Sequence, residues 1–224
     1  MATKQDILHF LQDLSQHNSK DWMDENRSRY HAAKNRWIEE VETILNRLSV
    51  HNPGFAMVQP KDTLSRINNN RRFHPDKPVY KDFFSCEPGG KVRGNSLFYL
   101  SVGVSWSFVG GGMHNPEKEQ LKAFRSAIDY DGAAFSGILD APAFQQFYGG
   151  LTHFKNNLKS APKGYSKDHP YIEHLRLQAI TATREIRKAD FLSDGFVDFI
   201  EEAYLAFKPM EDYLFKVMQF EEVV

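Results

Sequence analysis

GNSLFYLSVGVSWSFVGGGMHNP, residues 94–116, is the longest stretch of the 224-residue chain without a formal charge, and it is long enough to cross a bilayer. Its large apolar residues alternate with other residues. One side of the pattern carries Phe98, Leu100, Val102, Val104, Trp106 and Phe108. Period two indicates a β-strand, or two strands in line, with one buried face. Four serines and five glycines also lie in the stretch, so we expect part of a sheet here and no membrane span.

Outward from this stretch, the chain divides into a central sheet and two helical ends. Strands are predicted near 55–67, 82–87, 96–109 and 179–187. The parts of the single domain, 1–224, are then a helical N-terminal part at 3–52, a central sheet at 55–109, and a helical C-terminal part with the strand near 179–187. Because the strands do not alternate strictly with helices, the pattern favours an α+β fold with a mainly antiparallel sheet and helices packed on one face.

Composition is that of an ordinary globular chain. Hydrophobic residues make up 41% and charged residues 25%, and the net charge is -1, so bulk charge recruits neither nucleic acid nor a membrane. The only cysteine, Cys86, excludes an internal disulfide. The start, MATKQDILHF, has no apolar signal segment. These features predict a cytoplasmic protein without a membrane partner.

The charges are unevenly distributed. Residues 61–93 hold eight Lys/Arg against four Asp/Glu, whereas residues 194–224 hold eight acids and two lysines. Arginine forks and lysine ammonium groups beside aromatic rings are typical of phosphate or carboxylate recognition. The residues predicted to bind such a ligand in this region are Arg66, Arg71, Arg72, Lys77, Tyr80 and Lys81. We refer to residues 68–82, NNNRRFHPDKPVYKD, as the basic loop.

A second candidate element is the glycine run Gly110-Gly111-Gly112. Free backbone N–H groups in a glycine turn that opens a helix can hold an anion. The alternative is a tight strand-to-helix reversal with no ligand. We expect the run to converge with the basic loop on one concave site, with Lys163 from the loop at 160–170 contributing as well.

Catalytic signatures are sparse. The sequence contains no P-loop, H-E-x-x-H, G-x-S-x-G or EF-hand motif, and its nine histidines are scattered, so no metal site is predicted. His74 and His169, the histidines within the two basic loops, are the acid/base candidates if chemistry occurs there. The sequence leaves open whether the protein is an enzyme and which cofactor, if any, it uses.

Three classes of function remain. The first is a pocket for a small anionic ligand, with phosphorylated compounds as one class. The second is a structural or interaction protein whose basic loop is paired internally with carboxylates. The third is a nucleic-acid-binding module, against which the pI of about 6.8 and the lack of a second extended basic stripe argue.

The same residues resemble an uncharacterised family, domain of unknown function 2461. The basic block of the resemblance comprises Ser65-Arg66-Ile67, Arg71-Arg72-Phe73, Asp76-Lys77-Pro78 and Tyr80-Lys81. The other blocks are Phe10-Leu11 to Tyr30, Tyr99-Leu100 through the glycines to Pro116, and Leu158-Lys159 to Leu175-Arg176. The chain departs from the family pattern at Asn69, Asn70, His74 and Val79. The family has no assigned reaction, so the resemblance implies a single domain and leaves activity open.

Overall fold

A computed structural model of the chain describes residues 2–90 and 96–219. The chain forms two compact units. The first consists of Met1–Val109 with Glu185–Glu201, and the second of Gly110–Arg184 with Glu202–Val224. The single domain spanning 1–224 stays a prediction. Lys91 and Arg93, which contribute to the positive charge of residues 61–93, lie outside the described residues.

Helices flank a small sheet. The helices are α1 (Lys4–Gln16), α2 (Lys20–Glu25), α3 (Arg27–Leu48), a 3-10 helix (Pro53–Met57), α4 (Pro60–Thr63), α5 (Lys118–Leu139), α6 (Pro142–Tyr148), α7 (Ile172–Leu175), α8 (Lys188–Leu192) and α9 (Phe196–Gln219). The strands are β1 (Phe83–Cys86), β2 (Phe98–Gly103), β3 (Phe108–Met113) and β4 (Ile180–Glu185), in the order β1-β2-β3-β4. No helix in the described part of the chain is long and apolar enough to span a membrane.

The first helix begins as its sequence dictates. Thr3 caps α1, since its hydroxyl accepts the Asp6 N–H while the Asp6 carboxylate accepts the Thr3 N–H. Ser19 caps α2 in the same region. α2 and α3 are separate helices, because the chain leaves helical geometry at Asn26 before α3 begins. Within the predicted N-terminal part at 3–52, the structure thus has three helices, α1 to α3.

In the first unit, α1 and α3 pack against β2 and β1. β1 and β2 are antiparallel, with Phe84 opposite Val102 and Cys86 opposite Leu100. These four side chains are buried, and the ring of Phe10 stacks on that of Phe84 at a centroid distance of 6.5 Å. The predicted α+β fold with an antiparallel sheet is confirmed, as are the strands near 82–87 and 179–187.

Two strand predictions are correct only in part. In place of the predicted strand at 55–67, residues 53–57 and 60–63 form two short helices, each with a proline at its start. Within this described range, strand pairing is limited to an isolated antiparallel bridge between Leu64 and Cys86. The predicted strand at 96–109 is two strands separated by a turn. The apolar alternation continues through that turn. Val104 and Trp106 in the turn are about half exposed, at 52% and 51%, whereas the apolar residues of the same pattern in β2 are buried.

Candidate functional site

The basic loop is a hairpin-like arm. Asn68 and Tyr80 form an isolated antiparallel bridge, flanked by hydrogen bonds from Asn69 N to Val79 O and from Lys81 N to Ile67 O. Beyond the bridge, residues 70–78 are exposed. The arm therefore has an ordered base and a solvated tip.

The side chain of Asn18 holds the base of this arm. Its Nδ2 donates to the Tyr80 carbonyl oxygen at 3.0 Å, and the Tyr80 N–H donates to its Oδ1 at 2.8 Å. Tyr80 itself is buried, at 7% exposure. Of the predicted ligand residues, Tyr80 thus lies at the foot of the arm, with its backbone bonded to the segment before α2.

The remaining predicted residues of the basic loop lie at its tip or beside it. Arg71 donates to the Pro75 carbonyl oxygen at 3.2 Å, and the Arg72 guanidinium lies 5.6 Å from the Phe73 ring centroid. Lys77 and His74 are exposed. These side chains at the tip therefore meet solvent, and no described residue encloses a ligand there.

Lys81 lies in a more confined place. Its ammonium is 5.8 Å from the ring centroid of Phe83. Burial, reinforced by the positive charge of Lys77, lowers the pKa of Lys81 below its ordinary value.

Arg66 lines a cavity of about 180 Å³ within the first unit. We call this cavity the Arg66 cavity. The described residues that line it are Tyr30, Lys34, Trp37, Lys61, Leu64, Ser65, Arg66, Ile67, Asn68, Phe84 and Ser85. They come from α3, from α4 and the segment after it, and from β1. Long-range packing therefore brings together residues that are more than 30 positions apart in the sequence.

The charge of this cavity is one-sided. Lys34, Lys61 and Arg66 line it, and no described lining residue is an Asp or a Glu. Within residues 2–90 and 96–219, none of these three cations lies within 4.0 Å of a carboxylate. Like charges without a counterion repel one another. Of the three side chains, Lys34 is half-buried, whereas Lys61 and Arg66 are exposed.

Aromatic groups form part of the same wall. Trp37 is fully buried, and its indole Nε1–H has no hydrogen-bond partner among residues 2–90 and 96–219. A buried donor without an acceptor costs free energy. Tyr30 is half-buried, and burial raises its pKa above the ordinary value, against a smaller opposite effect of Arg27. The phenol therefore stays neutral at physiological pH and adds no negative charge to the wall.

A larger cavity of about 570 Å³ lies elsewhere in the first unit, between α1, the turn at 104–107 and residues 185–191. It contains charges of both signs: Glu185, Arg187 and Lys188 line it. Arg187 forms a salt bridge with the nearby Asp190, with an Nη2–Oδ1 distance of 2.7 Å. This cavity is the larger of the two, but its mixed charges do not indicate any class of ligand.

The glycine run in the second unit is not a turn. Gly110, Gly111 and Gly112 lie inside β3, and α5 begins only at Lys118. Backbone of β4 passes so close that a Cβ on Gly110 would lie 2.0 Å from the Ala182 carbonyl oxygen. The prediction of a strand-to-helix glycine turn is wrong. The glycines allow the backbone of β4 to approach β3 closely, and this pairing is not visible in the local sequence.

His169 is held by local contacts in the second unit. Its Nδ1 accepts the Tyr171 N–H at 3.1 Å, and its Nε2 lies 3.2 Å from Asp129 Oδ1. Both ring nitrogens thus have partners. Lys163 is exposed in its loop. Among the described residues, no group of three His, Cys, Asp or Glu side chains is placed to hold a metal ion.

Sequence reasoning found Arg66 but did not single out the rest of its cavity. Lys34 lies in α3 among alternating charges, and Lys61 is one basic residue among eight in residues 61–93. Neither is part of a motif. Only the packing of α3 against α4 and β1 brings the half-buried Lys34 and the exposed Lys61 to the same cavity.

Comparison with known proteins supports the resemblance seen in the sequence. No curated protein and no solved structure matches the chain significantly. A family described as "Conserved hypothetical protein (DUF2461)" matches residues 6–213. This range includes most of α1, the helices between α1 and α9, all four strands and most of α9. The chain therefore belongs to the DUF2461 family of conserved hypothetical proteins.

Proposed function

We propose that the protein binds a small anionic ligand in the Arg66 cavity. The observation that carries this proposal is the presence of three cations, Lys34, Lys61 and Arg66, around one cavity whose described wall has no carboxylate. An anion would relieve their mutual repulsion and accept hydrogen bonds from the guanidinium and ammonium groups. The volume of about 180 Å³ is below the roughly 300–1,000 Å³ of pockets for drug-sized ligands, so the ligand is compact.

The exposed cations of the basic loop have a supporting role in this proposal. Arg71, Arg72 and Lys77 project into solvent, where they raise the local concentration of anions without enclosing one. The wider site of the sequence prediction adds the glycine run and Lys163, which belong to the second unit. That wider site, with His74 and His169 as acid/base groups, stays a prediction.

The structural alternative requires internal pairing of the basic loop. Within residues 2–90 and 96–219, no carboxylate lies within 4.0 Å of Arg71, Arg72, Lys77 or Lys81. These cations are therefore available to an external anion, which supports a binding function.

The test is ligand-induced stabilisation at constant ionic strength. Sulfate or phosphate, replacing chloride, should raise the melting temperature of the wild-type protein, since a ligand at 100 times its Kd stabilises by about 2.7 kcal/mol. Arg66→Gln should lose most of this rise. Arg72→Gln is the matched control: it removes the same charge from the exposed tip and should retain the rise.

The outcomes separate the sites. A full rise in Arg66→Gln contradicts binding in the Arg66 cavity. Equal losses in Arg66→Gln and Arg72→Gln would support the wider site that includes the basic loop. The absence of any rise in the wild-type protein would refute binding of these oxyanions altogether.

A further inference from the structure

We infer, on the basis of the proposed function, that the Arg66 cavity selects a doubly charged phosphate group over a singly charged carboxylate. The wall carries three cationic side chains, Lys34, Lys61 and Arg66, with no carboxylate among its described residues. A monoanion leaves most of that positive charge uncompensated. A dianion compensates more of it within the same small volume, so the difference in affinity arises from the wall and not from the size of the ligand.

The types of donor also suit a tetrahedral group. Arginine offers a planar fork that two phosphate oxygens can meet, and lysine offers an ammonium that can approach from another direction. A carboxylate has only two oxygens to share among these donors, whereas a phosphate group has three or four.

Few groups near the cavity titrate between pH 5 and 8. The described wall contains no His, Asp or Glu, and burial holds the pKa of Tyr30 above its ordinary value. Outside the wall, the ring of His31 packs 5.2 Å from that of Tyr30, and the charge of Arg27 also acts on Tyr30. His31 is thus the neighbouring group that a control must cover.

The experiment is calorimetric titration with glycerol 2-phosphate at several pH values from 5.0 to 7.5. A phosphate monoester loses its second proton with a pKa near 6, so only about a tenth of it is dianionic at pH 5. Selection of the dianion predicts binding that is about tenfold tighter at pH 7.5 than at pH 5.0. Sulfate, a dianion throughout this range, reports any contribution of His31 and should bind with nearly constant affinity.

Acetate and inorganic phosphate complete the set. Acetate at pH 7.5 should bind at least tenfold more weakly than sulfate, and Lys34→Gln should reduce that ratio. Tighter binding of the ester than of inorganic phosphate identifies an esterified ligand, and the reverse identifies the free ion. Constant affinity for the ester across the pH range, or equal affinity for acetate and sulfate, overturns the inference while the proposed anion site stands. No binding of any of these anions refutes both.

Discussion

Asn18 pairs with both backbone groups of Tyr80, 62 residues away, as a neighbouring strand would. In the bridge between Asn68 and Tyr80, the flanking hydrogen bonds belong to Asn69 and Lys81, so the N–H and C=O of Tyr80 point away from that pairing. The Asn18 amide supplies one donor and one acceptor to them, at 3.0 and 2.8 Å. A single side chain thus satisfies two groups that would otherwise lack partners.

Asn18→Ala should therefore destabilise the protein by about 1–3 kcal/mol, because two partly buried backbone groups lose their partners. Urea unfolding measures the change. Asn69→Ala is the matched control: the Asn69 side chain makes one hydrogen bond, to the exposed carbonyl of Pro78, and its loss should cost less than about 1 kcal/mol. Equal costs in the two variants would contradict the special role of Asn18.

Repulsion among the cavity cations predicts a salt-dependent stability. In the ligand-free protein, Lys61→Gln should raise the melting temperature at 20 mM NaCl, since one of three like charges is removed. The gain should vanish at 500 mM NaCl, where screening acts over a few ångströms. Lys167→Gln, an exposed lysine of the second unit, should show no such gain. A gain of the same size at both salt concentrations would refute the electrostatic explanation.

The glycines of β3 predict a steep contrast between two Gly→Ala variants. Gly112 has φ +116°, and a Cβ there would lie 2.1 Å from the Ile180 carbonyl oxygen, so Gly112→Ala should destabilise by at least about 2 kcal/mol. Gly137 lies in α5 with open space around it, and Gly137→Ala should stabilise by about 0.5 kcal/mol. Thermal unfolding of both variants checks the prediction, and a mild effect of Gly112→Ala would contradict the close approach of β3 and β4.

Glu201 should account for part of the loss of folding stability at acidic pH. His51 Nε2 lies 2.7 Å from one of its oxygens and Arg47 Nη1 lies 2.7 Å from the other, and these bonds, that of His51 first, lower the pKa of Glu201 below 4.5. A carboxylate with a lowered pKa in the folded state stabilises above its unfolded value, and this contribution is lost as the pH falls below about 4.5.

Glu201→Gln should accordingly melt at a lower temperature than the wild-type protein at pH 7, and the two curves should converge as the pH falls toward 3. Melting temperatures measured between pH 3 and 7 test this. Glu202→Gln removes the neighbouring exposed carboxylate and should leave the curve unchanged. A constant difference between wild type and Glu201→Gln across this range would show that the carboxylate acts through packing and not through its charge.

Sequence predicted the fold where local signals and tertiary packing agree. The helical pattern at the N-terminal end and the alternation of Phe98, Leu100 and Val102 each correspond to observed elements. The turn at 104–107 was missed because apolar residues keep their alternation through it. Its geometry depends on longer-range bonds, such as that from the Val104 N–H to the Asp82 carbonyl oxygen at 3.0 Å.

The candidate site was predicted only in part, for the same physical reason. Arg66 was predicted as a ligand residue because it precedes the basic residues of the basic loop. The tip of that loop, however, is exposed to solvent. Lys34 and Lys61 become part of the candidate site only because α3 packs against α4. A site built from isolated residues of separate elements leaves no pattern in a single sequence.

Cys86 gives the experimenter an advantage. It is the sole cysteine of the chain and is fully buried in β1, and burial raises the pKa of its thiol far above the ordinary value. Maleimide reagents attack thiolates, so the folded wild-type protein should remain unlabelled. A cysteine introduced at Met57, which is 85% exposed, would take up a single fluorophore without prior removal of Cys86, and the natural chain would serve as its own unlabelled blank.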